Sequence, residues 1–164
     1  MFEDFYIYKR PKLDEFLTSC SQICSIAIWS SADDNYVRGI TEQLCSPNIE
    51  IDFIWARSEC WMKIVKVVDE NTKLTIKDYQ NIKPLEKLRR KGYSMKNLLI
   101  IDDSKYKVID NPDNYLIIEA FEGKQDDNEL EYLLEYLKSA TQDSDFRKIE
   151  KENWRNKINT NDKN

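Results

Sequence analysis

Residues 97–104 constrain the fold more than any other stretch of the chain. Leu98, Leu99, Ile100 and Ile101 follow one another without interruption. Four apolar residues are too few for a buried helix, and they suit a strand buried on both faces of a parallel sheet. Asp102, Asp103 and Ser104 come directly after them. In an open α/β sheet the carboxyl ends of the strands border the ligand crevice. Neighbouring carboxylates there repel one another unless a proton or a cation intervenes, and hard oxygen donors suit Mg²⁺. The same residues also fit a purely structural role, with Asp102 opening a turn and Asp103 capping the next segment.

The length of 164 residues fits one domain with a real core. We expect that domain to run over residues 1–158, with 159–164 as a polar tail. A net charge of −5 argues against a general nucleic-acid partner. No apolar run is long enough to span a bilayer, so no membrane is expected, and the acidic start is not followed by a signal-peptide core. These features together predict a cytoplasmic protein. Cys20, Cys24, Cys45 and Cys60 contain no C-x-x-C spacing, and there is no histidine. Free thiols are expected. Without histidine, Ser-His-Asp and Cys-His catalysis are excluded, and acid–base work must fall to Asp, Glu, Lys, Tyr or Cys.

Along the chain, Phe2 to Tyr8 reads as extended, and Pro11 opens a short amphipathic helix on Leu13, Phe16 and Leu17. Ile23–Trp29 is a second buried strand. Ser30 follows it, and Ser31 is expected to cap a helix starting at Ala32. A hydroxyl at that junction can face an anion beside helix N–H groups, or simply serve a turn. Ile51–Trp55 is a third strand. Lys63–Lys77 reads as an inserted hairpin turning at Asp69-Glu70-Asn71-Thr72. Pro84 starts a helix that Gly92 ends, and Tyr115–Ile118 is the last strand. Asp126 is expected to cap a helix buried through Leu130, Leu133, Leu134 and Leu137. A charged helix is expected from Asp145 to about Ile158. Strands alternating with helices predict an α/β fold with a mainly parallel sheet.

Five segments carry a resemblance to a known family: Lys9-Arg10-Pro11-Lys12-Leu13-Asp14-Glu15-Phe16-Leu17, Ile28-Trp29-Ser30-Ser31-Ala32, Arg57-Ser58-Glu59-Cys60, Lys83-Pro84-Leu85 and Ile100-Ile101-Asp102-Asp103-Ser104. In this order the chain resembles the haloacid dehalogenase superfamily, in the branch of the RNA polymerase II C-terminal-domain phosphatases and NLI-interacting-factor-like phosphatases. The resemblance runs from about Tyr8 to Trp154. It implies a Rossmann-like three-layer sandwich and Mg²⁺-dependent hydrolysis of phosphomonoesters through an aspartyl-phosphate. By the same resemblance, Ser30 hydrogen-bonds the transferring phosphoryl group and Lys83 neutralises its oxygens. Asp102 and Asp103 hold Mg²⁺. Arg57 and Ser31 contact the substrate phosphate, with Arg57 equally suited to an ordinary exposed position. The implied partner is a phosphorylated small molecule, or a phosphoprotein or peptide.

The first motif of that family, D-x-D-x-T, occurs nowhere in the sequence. Its leading Asp is the family's nucleophile, and its strand lies centrally in the family's sheet. The resemblance therefore predicts a sheet without its first strand, leaving Ile23–Trp29 and Leu98–Ile101 with open edges unless Phe2–Tyr8 takes that place. It also predicts a chain inactive alone. Three readings remain open: a truncated or wrongly started phosphatase, a catalytically dead protein- or peptide-binding module, and half of a split protein completed by a partner chain.

Overall fold

β5 (Ile100–Asp102) pairs in parallel with β6 (Tyr115–Ile117), and the pair is apolar on both faces. Successive strand residues point to opposite sides. Leu99, Ile101 and Leu116 accordingly join one apolar cluster, and Leu98, Ile100, Tyr115 and Ile117 join the other. The first cluster is built on α5 (Glu129–Ala140), α1 (Leu13–Ser21) and α6 (Trp154–Asn161). The second gathers Trp55, Leu85, Leu88 and Val108, with α3 (Glu86–Arg90) and α4 (Lys105–Val108) supplying two of these. Helices thus cover both faces of the strands, as the apolar run at Leu98–Ile101 predicts. The computed structural model describes residues 6–68 and 72–161.

β1 (Ile26–Trp29) and β2 (Ile51–Trp55) form a second parallel pair, connected through α2 (Asp34–Leu44). β3 (Trp61–Val68) and β4 (Thr75–Ile82) form an antiparallel hairpin. The architecture is α/β, and among the described residues the strands make three separate two-stranded sheets. Among the described residues β1 is hydrogen-bonded only to β2, and β5 only to β6.

Several local expectations need correction. The strand expected from Ile23 begins at Ile26, because the N–H groups of Ile23 and Cys24 both donate to Cys20 O and extend the end of α1. Helix α2 starts at Asp34 rather than Ala32, and Asp33, not Ser31, accepts from the Asn35 and Tyr36 N–H groups. α1 begins two residues after Pro11, and α3 two residues after Pro84. Asp127 rather than Asp126 receives the Glu129 N–H at the start of α5. The hairpin is longer than Lys63–Lys77, and of its expected turn at 69–72, residues 69–71 lie outside the described residues. The single helix expected over Asp145–Ile158 is a 3-10 turn at Phe146–Lys148, an extended Ile149, and α6. Residues 159–161, expected in a tail, belong to α6; residues 162–164, and residues 2–5 of the expected first extended segment, fall outside the described residues. The four cysteines are free, as expected.

Candidate phosphate site

The carboxyl ends of β1 and β5 open onto one cleft of about 350 Å³. Ser30, Ser31, Lys83, Asp102 and Asp103 all line it, although they come from three distant parts of the chain. Ser30 follows β1 directly. Its N–H donates to Trp55 O at 2.9 Å, fixing the end of the β1–β2 pair, and its Oγ accepts from Ala32 N–H at 3.1 Å. The hydroxyl proton stays available to an acceptor in the cleft.

Lys83 is held by its backbone as much as by its side chain. Its N–H donates to Lys107 O at 2.7 Å, and its carbonyl accepts from Asn111 Nδ2 at 2.8 Å. Pro84 has no N–H to satisfy, and the next N–H, of Leu85, donates to Asn111 Oδ1 at 2.7 Å. One buried asparagine therefore satisfies the polar backbone on both sides of Pro84. The Lys83 ammonium is buried and lies 2.5 Å from Asp102 Oδ2. Asp102 Oδ1 accepts from Ser104 N–H at 2.9 Å, so both carboxylate oxygens have a partner. Asp103 is exposed, with Oδ1 accepting from Ser104 Oγ at 3.0 Å. Partial burial works to raise its carboxyl, but hydrogen bonds with Ser104 and Asp102 and the charge of Lys107 outweigh it and hold the carboxyl below its ordinary range.

Arg10 and Lys107 also line the cleft, so three cations face two carboxylates. Arg10 is anchored by paired 2.8 Å bonds from Nε and Nη2 to Asp127, and by Nη1 to Glu119 O. Trp29 forms part of the wall. Arg57 is not among the lining residues. It is exposed, and its Nε donates to Ser31 O at 3.0 Å, bracing the loop after β1 from outside.

Arg10, Lys107 and Asn111 were not identified from the sequence. Arg10 lies in the first of the five resembling segments, but its partner Asp127 is more than a hundred positions away. Lys107 and Asn111 fall in a stretch with no periodic pattern.

The donors fit Mg²⁺ in kind: two neighbouring carboxylates are what this ion takes when water and substrate oxygens complete its shell. Among the described residues no group of three or more potential metal ligands comes together. The sequence has one Asp-x-Asp spacing, Asp143 and Asp145, but neither lines the cleft, and Asp145 is tied to the Arg147 guanidinium.

Strand ends that carry a hydroxyl, a buried lysine and two carboxylates into one cleft on an α/β scaffold make a polar crevice where such folds bind ligands. A sequence model of the NLI interacting factor-like phosphatases matches residues 2–147, and the chain belongs to that family. It is 29% identical over 157 residues to the ubiquitin-like domain-containing CTD phosphatase 1 of Gallus gallus, covering 88% of this chain and 46% of the relative. The Homo sapiens protein of the same name gives the same identity and coverage. The mitochondrial import inner membrane translocase subunit TIM50 of Kluyveromyces lactis is 32% identical over 143 residues, covering 86% of this chain and 26% of the relative. The chain thus spans less than half the length of these relatives. No helix among the described residues is long and apolar enough to cross a membrane.

Proposed function

We propose that the cleft binds the phosphoryl group of a phosphorylated small molecule or peptide, and that this chain does not hydrolyse the ester alone. The observation that carries this reading is the convergence of Ser30, Lys83, Asp102 and Asp103 on one cavity. Ser30 Oγ–H donates to a phosphoryl oxygen. Lys83 stands between Asp102 and that oxygen, its ammonium fixed before any ligand arrives, so little reorganisation opposes binding. Arg10 and Lys107 add positive field at the rim. Asp102 and Asp103 hold Mg²⁺, which when bound supplies further neutralisation of phosphoryl charge. Turnover in the family begins with the first Asp of D-x-D-x-T, and no residue of this sequence stands in that motif.

A second reading is favoured by the second edges of β1 and β5, which are unpaired among the described residues. A strand from a partner chain, entering parallel to both and ending in acidic residues, would join the two pairs and supply the attacking group.

Two measurements on the full chain test the first reading. Calorimetric titration with inorganic phosphate in the presence of Mg²⁺ should show binding that Lys83→Met abolishes. Hydrolysis of p-nitrophenyl phosphate with Mg²⁺ should stay at background. Phosphate binding that survives Lys83→Met removes the cleft from the account, and Mg²⁺-dependent turnover removes the claim of inactivity.

A further inference from the structure

Lys83, Arg10 and Lys107 all line the cleft, but they are not equally available to a ligand. The Lys83 ammonium already faces the buried Asp102 carboxylate at 2.5 Å. The Arg10 guanidinium gives Nε and Nη2 to Asp127 and Nη1 to Glu119 O. The Lys107 ammonium makes no salt bridge or hydrogen bond among the described residues. It lies 5.7 Å from the centroid of the exposed Tyr106 ring, at the outer limit of a cation–π contact. Its charge is felt at Asp103, but the Asp103 carboxylate accepts from Ser104 Oγ instead.

The backbone of Lys107, by contrast, is fixed on both sides. Its N–H donates to Ser104 O at 3.0 Å, and its carbonyl accepts from Lys83 N–H at 2.7 Å. The next residue, Val108, is wholly buried in the second apolar cluster. Lys107 is itself half-buried, so its ammonium has given up part of its hydration without gaining a counter-ion in the protein. Lys83 and Arg10 are each matched by a carboxylate at contact distance, and their charges are largely offset before any ligand arrives. Lys107 carries the charge that is not. We propose that the Lys107 ammonium pairs directly with the bound phosphoryl group, while the charge of Lys83 is offset by Asp102. The proposal rests on the reading of the cleft as a phosphate site and adds a binding residue to it. The two lysines then act differently. Loss of Lys83 bares the Asp102 charge beside the ligand, whereas loss of Lys107 removes the ligand's own partner.

The test titrates the full chain with inorganic phosphate in the presence of Mg²⁺ and records the melting temperature of each variant. Lys107→Gln should weaken phosphate binding by about tenfold or more, as expected for the loss of one charge-assisted hydrogen bond. It should also flatten the dependence of binding on salt. Lys107→Arg keeps the charge and should recover most of the affinity. Because the ammonium has no protein partner to lose, Lys107→Gln should melt with the wild type, unlike Lys83→Met. Wild-type binding that Lys83→Met abolishes and Lys107→Gln leaves unchanged overturns this inference and leaves the phosphate reading standing. A fall in melting temperature for Lys107→Gln as large as that for Lys83→Met also overturns it, since it marks a structural lysine. Absence of phosphate binding by the wild type removes the phosphate reading itself, and this inference with it.

Discussion

Replacing Lys83 by Met should destabilise the fold more than any surface substitution. The Lys83 and Asp102 side chains are 7% and 5% exposed and lie 2.5 Å apart. Methionine keeps most of the lysine's apolar stem but leaves the Asp102 carboxylate buried without its cation, with the Ser104 N–H still donating to it. Removing one member of a buried ion pair costs about 3–5 kcal/mol, because the other charge stays desolvated. For a domain of this size that lowers the melting temperature by about 6–20 °C. Adding Asp102→Asn should recover most of the loss. The amide oxygen still accepts from Ser104 N–H, and neither member of the buried pair then carries a charge. Urea denaturation of wild type, both single variants and the double variant gives the coupling directly. A Lys83→Met loss below about 1 kcal/mol, or a double variant equal to the sum of the singles, would refute the claim that the pair is buried and coupled.

Other perturbations test the scaffold around the cleft. Leu133 is 1% exposed at the centre of the α5 cluster, and Leu133→Ala should cost about 2–5 kcal/mol in urea denaturation. The Arg10 guanidinium hydrogen-bonds Asp127 and holds its carboxyl below the usual range, against a smaller opposing effect of burial. A depressed folded-state pKa stabilises above the unfolded value. The stability gap between wild type and Asp127→Asn should therefore be full near neutral pH and close as pH falls below about 4; a gap that widens in acid contradicts the pairing. Burial raises the Cys20 thiol to about 12, with Cys24 adding to the shift, so Cys20 should resist alkylation at mildly alkaline pH until the chain unfolds, as mass spectrometry can read.

The sequence made the strands legible wherever apolar residues ran together. Ile51–Trp55 has the expected bounds, and Leu98–Ile101 does lie between two apolar layers. Element ends were less legible, because side chains elsewhere decide them. Asp145 captures both the N–H and the guanidinium of Arg147, and Tyr136 Oη donates to Glu150 O, so the expected charged helix breaks into a turn and a shorter helix. Motif residues at strand ends could be read from type and order: Ser30, Ser31, Lys83, Asp102 and Asp103 do share a cavity. Arg57 could not be separated from an exposed arginine by type alone. Asn111, which shapes the Lys83 turn, carries no local signal, since its partners lie 26 and 28 residues away.

The most direct test of a shared phosphate and Mg²⁺ cleft uses Mn²⁺, which takes the same hard oxygen donors, as a paramagnetic probe of backbone amide resonances. Resonances of Asp102, Asp103 and Ser104 should broaden together with those of Ser30 and Ser31, and Asp103→Asn should weaken the effect at all five. Broadening centred on another acidic stretch such as Asp126–Glu129, or none at Ser30 and Ser31, would contradict the account.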